Sequence, residues 1–179
     1  MNLLFVLALS VLGISSASVP RKSPDFTIQQ APDKTTMLSS YKGKVVMLEF
    51  FFMRSQICVD LARTMDKLNR ELGPQGFQPV AIAFPSPQSD ANAALVNYMV
   101  NYFKLSYPVG YTDKDAVDRY LGRQPKEMLR IPQVVIIDRN GMIRAQTGIN
   151  DTQLESETYL RFFLNNLLKE GAPANSAKK

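Results

Sequence analysis

The residue best equipped for chemistry in this 179-residue chain is its single cysteine, Cys58. One thiol excludes an internal disulfide, a Cys-x-x-Cys redox pair and any thiolate-rich zinc or iron–sulfur site. It leaves a reactive thiol or an intermolecular disulfide through Cys58. The surroundings fit that chemistry. Ser55 stands three residues earlier, and SQIC (55–58) lies between the apolar run KVVMLEFFF (44–52) and a helical pattern. Unpaired N–H groups and the dipole at a helix start favour a thiolate. Nearby Asp60 opposes one, and cysteine also packs readily as a small apolar residue. Ser55 is a preferred helix cap, with the N–H of Cys58 in reach.

Glu49 is the second candidate. A carboxyl inside VVMLEFFF is costly to bury alone, so it is expected to be paired with a Lys, at an exposed edge, or in use. A desolvated Glu has a raised pKa, which suits proton exchange with a thiol. Much other chemistry is missing. There is no His, so imidazole acid–base catalysis and imidazole metal ligation are excluded, and no acidic run has calcium-loop spacing. No metal and no cofactor is expected. The net charge of +5 comes from 21 Lys and Arg against 16 Asp and Glu. These cations are scattered and not interleaved with aromatics, which reads as solvated surface and not as a nucleic-acid interface.

The elements that must hold these residues follow from patterning. KVVMLEFFF reads as a strand buried on both faces. A helix from about 59 to 72 carries Leu61, Met65 and Leu68 on one face and is stopped by Gly73-Pro74. FQPVAIAF (77–84) is a second buried strand. Residues 89–104 form a helix with Leu95, Met99 and Phe103 in register, and 113–121 form a short one. PQVVIID (132–138), Asn140-Gly141 and MIRAQTG (142–148) read as a hairpin with both turn residues at positive φ. A last amphipathic helix covers 153–169. Met47, Met53 and Phe50 to Phe52 are most simply core. The expected class is α/β, a central mixed sheet with helices on both faces and a late β-hairpin.

Residues 3–14, LLFVLALSVLGI, are too short to span a bilayer, which takes about 20 apolar residues, and right for a signal-peptide core. Ser15 and Ala17 suit a small-x-small cut, giving a signal peptide over 1–17 and an exported, periplasmic or secreted, product. The n-region has no Lys or Arg, so an uncleaved N-terminal anchor is the alternative. Residues 18–25 read as a linker, 26–170 as the domain and 171–179 as a flexible tail.

SPDFTI (23–28), YKGKVVMLEFFF (41–52), SQIC and IPQVVIIDRNG (131–141), in this order, resemble the redoxin branch of the thioredoxin fold, which includes TlpA-like thiol–disulfide proteins and the alkyl hydroperoxide reductase/thiol-specific antioxidant family. The resemblance implies a thioredoxin-like fold with a cis bond before Pro132 and a substrate-docking edge at Ile131-Pro132. It implies that Ser55 replaces the attacking cysteine and Cys58 keeps the resolving one, so a dithiol–disulfide cycle within one chain is excluded. It further implies that Glu49 is the proton acceptor for Cys58. Arg54 takes the place of an aromatic and either lends positive potential or is a surface charge.

The first expectation is therefore an exported thiol oxidoreductase whose one cysteine forms mixed disulfides with exported protein or small-molecule thiols and disulfides, resolved by a partner thiol. The second is a one-cysteine peroxidase, since Ser-x-x-Cys resembles the peroxiredoxin pattern in which the hydroxyl bonds the sulfur. That pattern also wants a proline where Phe51 stands and an arginine where Pro132 stands, with Arg130 two places away. The third is a non-catalytic thioredoxin-fold binding domain.

Overall fold

The computed structural model describes residues 18–31, 34–124 and 127–170. The expected signal peptide over 1–17 and tail over 171–179 lie outside the described residues. Eight strands form one sheet among the described residues: β1 (Arg21–Lys22), β2 (Thr27–Ala31), β3 (Lys34–Met37), β4 (Val45–Phe51), β5 (Phe77–Ala83), β6 (Val109–Tyr111), β7 (Gln133–Ile137) and β8 (Met142–Gln146). Their spatial order is β1-β8-β7-β4-β5-β6-β2-β3. Strands β4, β5 and β6 run parallel, and β7 pairs antiparallel with β4. This is the mixed sheet that the alternation of strands and helices requires.

Among the described residues the α-helices are α1 (Gln56–Leu72), α2 (Ala93–Phe103), α3 (Lys114–Leu121) and α4 (Glu157–Lys169). The pleat of β4 divides the core. Val45, Met47 and Phe51 join Leu61, Met65 and Leu68 of α1, Val96 and Met99 of α2 and Leu160 and Leu164 of α4. Val46, Leu48 and Phe50 join Phe26, Leu38 and Val117, Tyr120 and Leu121 of α3. Helices therefore cover both faces, and β4 and β7 are buried along their whole length.

Three local expectations are corrected. Residues 18–25 are not a free linker: Arg21 and Lys22 pair with Ile143 and Met142 as β1, and Arg21 Nη2 donates to Gln146 Oε1 at 2.7 Å. Pairing with an otherwise open edge strand outweighs the local signal of Pro20 and Pro24. In α2, Val96 and Met99 are buried while Leu95 is exposed, so the helix is turned from the expected register. The β7–β8 turn has positive φ only at Gly141 (79°). Asp138 O accepts from Gly141 N–H at 2.9 Å, and Asp138 Oδ1 accepts from the N–H groups of Asn140 and Met142. The aspartate thus builds a longer turn than Asn-Gly alone implied.

Candidate functional site

Glu49 lies at the centre of the sheet. Its register partners are Ala81 on β5 and Val134 on β7, and alternation along β4 puts it on the face covered by α1. It is 0% exposed, and neither carboxyl oxygen has a hydrogen-bond partner. Burial pushes its pKa well above the usual carboxylate range. The exposed edge and the lysine pair are both absent. What remains is a carboxyl in apolar surroundings that favour its protonated form and raise the pH at which it ionises.

Cys58 is the third residue of α1 and is also 0% exposed. Its pKa is pushed up to about 12, first by burial and then by the charge of Glu49, with a smaller push from Glu155. Hydrogen bonds from the Ser55 side chain and the Phe52 backbone oppose the rise and do not overcome it. The thiolate expected from the helix start is therefore overridden, because desolvation of the sulfur exceeds what the first turn offers. Ser55 holds the cap position with extended backbone but makes no cap bond through its side chain, which serves the sulfur instead. Asp60 accepts from Gln56 Nε2 at 2.9 Å and faces Arg63 at 3.6 Å, so the acids that act on the thiol are Glu49 and Glu155. Arg54 is exposed and is not among the groups acting on the thiol.

The loop opposite is set by β7. The Ile131–Pro132 bond is cis. Gln133 Nε2 donates to Arg130 O at 2.9 Å, and Val134 N–H donates to Thr147 Oγ1 at 2.9 Å, fixing the start of the strand beside Glu49. Ile131 is half-buried against the cluster that contains Cys58, as is Met53. Arg130 pairs with Glu155 Oε1, at 2.5 Å from Nη2 and 3.2 Å from Nε. Two contributors escaped the sequence reading. Tyr107 is buried and donates its hydroxyl to Ala62 O on α1 at 3.1 Å, and burial, then Glu49, keep that phenol protonated. Its aromatic type before β6 was the only signal. Glu155 had none, since its place depends on how the segment before α4 folds back.

Comparison with known proteins settles the lineage. Residues 19–146 match the AhpC/TSA family. The chain belongs to that family. Among curated relatives, thiol-disulfide oxidoreductase ResA of Bacillus thuringiensis is 22% identical over 143 residues, covering 80% of this chain and 77% of the relative. ResA of Geobacillus thermodenitrificans is 24% identical over 130 residues, covering 73% and 69%. Among solved structures, a thioredoxin-family thiol:disulfide interchange protein of Chlorobium tepidum superposes with a TM-score of 0.68 at 19% identity, over 84% of this chain and 98% of that one.

Within this AhpC/TSA chain the fold is thioredoxin-like and the redoxin branch is shown, as the four sequence segments implied. The chemistry that the arrangement can support is narrow. One thiol cannot close a disulfide within the chain, so any exchange must use sulfur supplied from outside. Among the described residues no cluster of three or more His, Cys, Asp or Glu could hold a metal.

Proposed function

We propose that this chain is an exported thiol oxidoreductase that works through Cys58, with Glu49 as the proton acceptor. The reading rests on one observation: a fully buried carboxyl without a hydrogen-bond partner stands on β4 between Met47 and Phe51 on the face whose core holds the one buried thiol, and its charge acts on that thiol. An unpaired buried acid costs stability, and proton exchange with the sulfur is the use its position allows. In the exchange, Glu49 in its ionised form takes the Cys58 proton as the sulfur attacks a partner disulfide. One S–S bond forms to Cys58, one breaks, and the departing partner thiolate receives the proton. A second thiol then attacks the mixed disulfide, returns Cys58 to its reduced form and leaves the partner sulfurs joined in a new disulfide. The Ser55 hydroxyl steadies the sulfur, and Ile131-Pro132 and Arg54 flank the approaching peptide. Partners are exported protein or small-molecule thiols and disulfides, as the apolar segment 3–14 supports.

A second reading is favoured by the complete burial of Cys58 and a pKa of about 12, namely a thioredoxin-fold domain that binds partners without redox chemistry. The peroxidase reading has less support. Peroxide attack needs a thiolate, and Arg130, two places from Pro132 where the peroxiredoxin pattern wants its arginine, is committed to Glu155. The test is the pH dependence of Cys58 alkylation in folded and denatured protein, followed by capture of exported partners through Cys58. Slow alkylation near neutrality with mixed disulfides trapped by Cys58 supports the oxidoreductase. Partner binding that persists in Cys58→Ser, with no trapped disulfide, replaces it with the binding domain.

A further inference from the structure

The thiol site occupies the end of β4 that leads into α1, on the face covered by α1 and α4. At the other end of the same strand, on the opposite face, lies a cavity of about 680 Å³. Its floor includes Leu38, Val46 and Ile137, all buried members of the α3-side core. Three lysines, Lys22, Lys42 and Lys44, stand around it, and none is in an ion pair among the described residues. The volume is that of a small-molecule site, which runs roughly 300–1,000 Å³.

The two carboxylates of the lining, Asp25 and Asp138, offset only part of this charge. Asp25 Oδ1 accepts from the N–H groups of Phe26 and Ser39, at 2.9 and 3.0 Å. Asp138 accepts from Asn140 and Met142 N–H and pairs with Arg144. Asp138 is offset by Arg144, whereas Asp25 keeps its negative charge, so three lysines against one unpaired carboxylate leave the lining with a cationic excess. The ammonium of Lys44 is held at the rim, donating to Gln78 Oε1 at 3.0 Å and standing 6.0 Å from the centre of the Tyr41 ring. A half-buried Tyr41 adds an aromatic wall, and burial keeps its hydroxyl protonated and able to donate. The result is an apolar floor under a cationic rim.

We propose that this cavity is a binding site for a small amphiphilic anion, a carboxylate or sulfonate carried on an aromatic or aliphatic body. A bare inorganic anion would leave the floor of Leu38, Val46 and Ile137 uncovered. A neutral apolar molecule would leave the lysines without a counter-charge. Only a ligand with both parts answers both features.

The test uses 8-anilino-1-naphthalenesulfonate as the anionic probe and N-phenyl-1-naphthylamine as its neutral counterpart. Fluorescence titration of the folded protein is combined with amide chemical-shift mapping. The expected shifts centre on Leu38, Tyr41, Val46 and Ile137. Replacing all three lysines in Lys22→Gln/Lys42→Gln/Lys44→Gln weakens the sulfonate by about tenfold or more, while the neutral probe changes less than about twofold. The charge-matched variant Lys67→Gln/Lys104→Gln/Lys169→Gln, away from the cavity, leaves both unchanged, and so does Cys58→Ser, which separates this site from the thiol. Shifts centred on Cys58, an unaltered sulfonate affinity in the triple variant, or displacement of the sulfonate by equimolar inorganic phosphate overturns the proposal.

Discussion

Glu49 and Asp118 are both acids sealed from water, at 0% and 3% exposure, and they are treated in opposite ways. Asp118 on α3 has a cation on each oxygen: Lys114 from the previous turn on Oδ2 and Arg123 on Oδ1. Arg123 is itself only 10% exposed on its side chain. Glu49 has no cation and no hydrogen bond at all. Where the fold needs an acid as a brace, it supplies counter-charges. Where it supplies none, the acid keeps a raised pKa and can still exchange a proton, and its charge acts on the one sulfur.

The sharpest break of this contrast is Asp118→Ala. It leaves Arg123 buried without its partner, and the expected loss is about 3–5 kcal/mol of unfolding free energy in urea titration. A loss below about 1 kcal/mol would show that α3 does not rely on the pair. Glu49→Gln is the opposite case. The unfolded Glu releases its proton near ~4.3, whereas the folded one holds it to much higher pH. Between those two values the native state binds more protons, so wild-type stability falls as pH rises. The variant lacks this decline, and its advantage over wild type grows by about 1.4 kcal/mol per pH unit in that window. Parallel stability curves for the two proteins would mean that Glu49 is ionised when folded.

A smaller effect is expected at the sulfur. Removing the Glu49 charge by Glu49→Gln moves the alkylation pKa of Cys58 down from about 12, yet it stays above the ordinary thiol range because burial is the larger cause. An unchanged or rising value would separate the two groups. The smallest effect belongs to charges in water. Arg161 pairs with Glu71 and Glu157, whose side chains, like its own, keep about a third or more of their surface in water, and Arg161→Ala should not shift the urea midpoint resolvably.

The strands and helices were legible because burial on both faces of β4, β5 and β7 writes continuous apolar runs, and α1 carries a clean 3.6-residue stripe. Cys58, Ser55 and Glu49 were legible as a constellation, since they fall on one strand–helix junction. Their protonation was not. Whether the helix start or desolvation governs a thiol depends on what covers it, and Ala81, Val134 and Tyr107 come from three other strands or loops. β1 was hidden for a similar reason: nothing in PRK announces a partner that lies 125 residues away at Gln146. The β2–β3 hairpin was missed because β3 is mostly exposed and the apolar alternation of Phe26 and Ile28 stops at Gln29-Gln30.

That distant pairing bears on when the fold can be completed. β1 can be seated only on β8, so the opening strand waits with open hydrogen-bonding groups until almost the whole chain is present. A chain that emerges or crosses a membrane N-terminus first can assemble β4, α1 and β5 early, but it cannot close the sheet edge. The same strand carries Lys22 into Ser23, whose N–H donates to Gly141 O at 2.9 Å, and all three residues line the lysine-rimmed cavity. Assembly of that cavity is therefore a late event, dependent on the last hairpin, whereas β4 and α1, which carry Glu49 and Cys58, can dock before it.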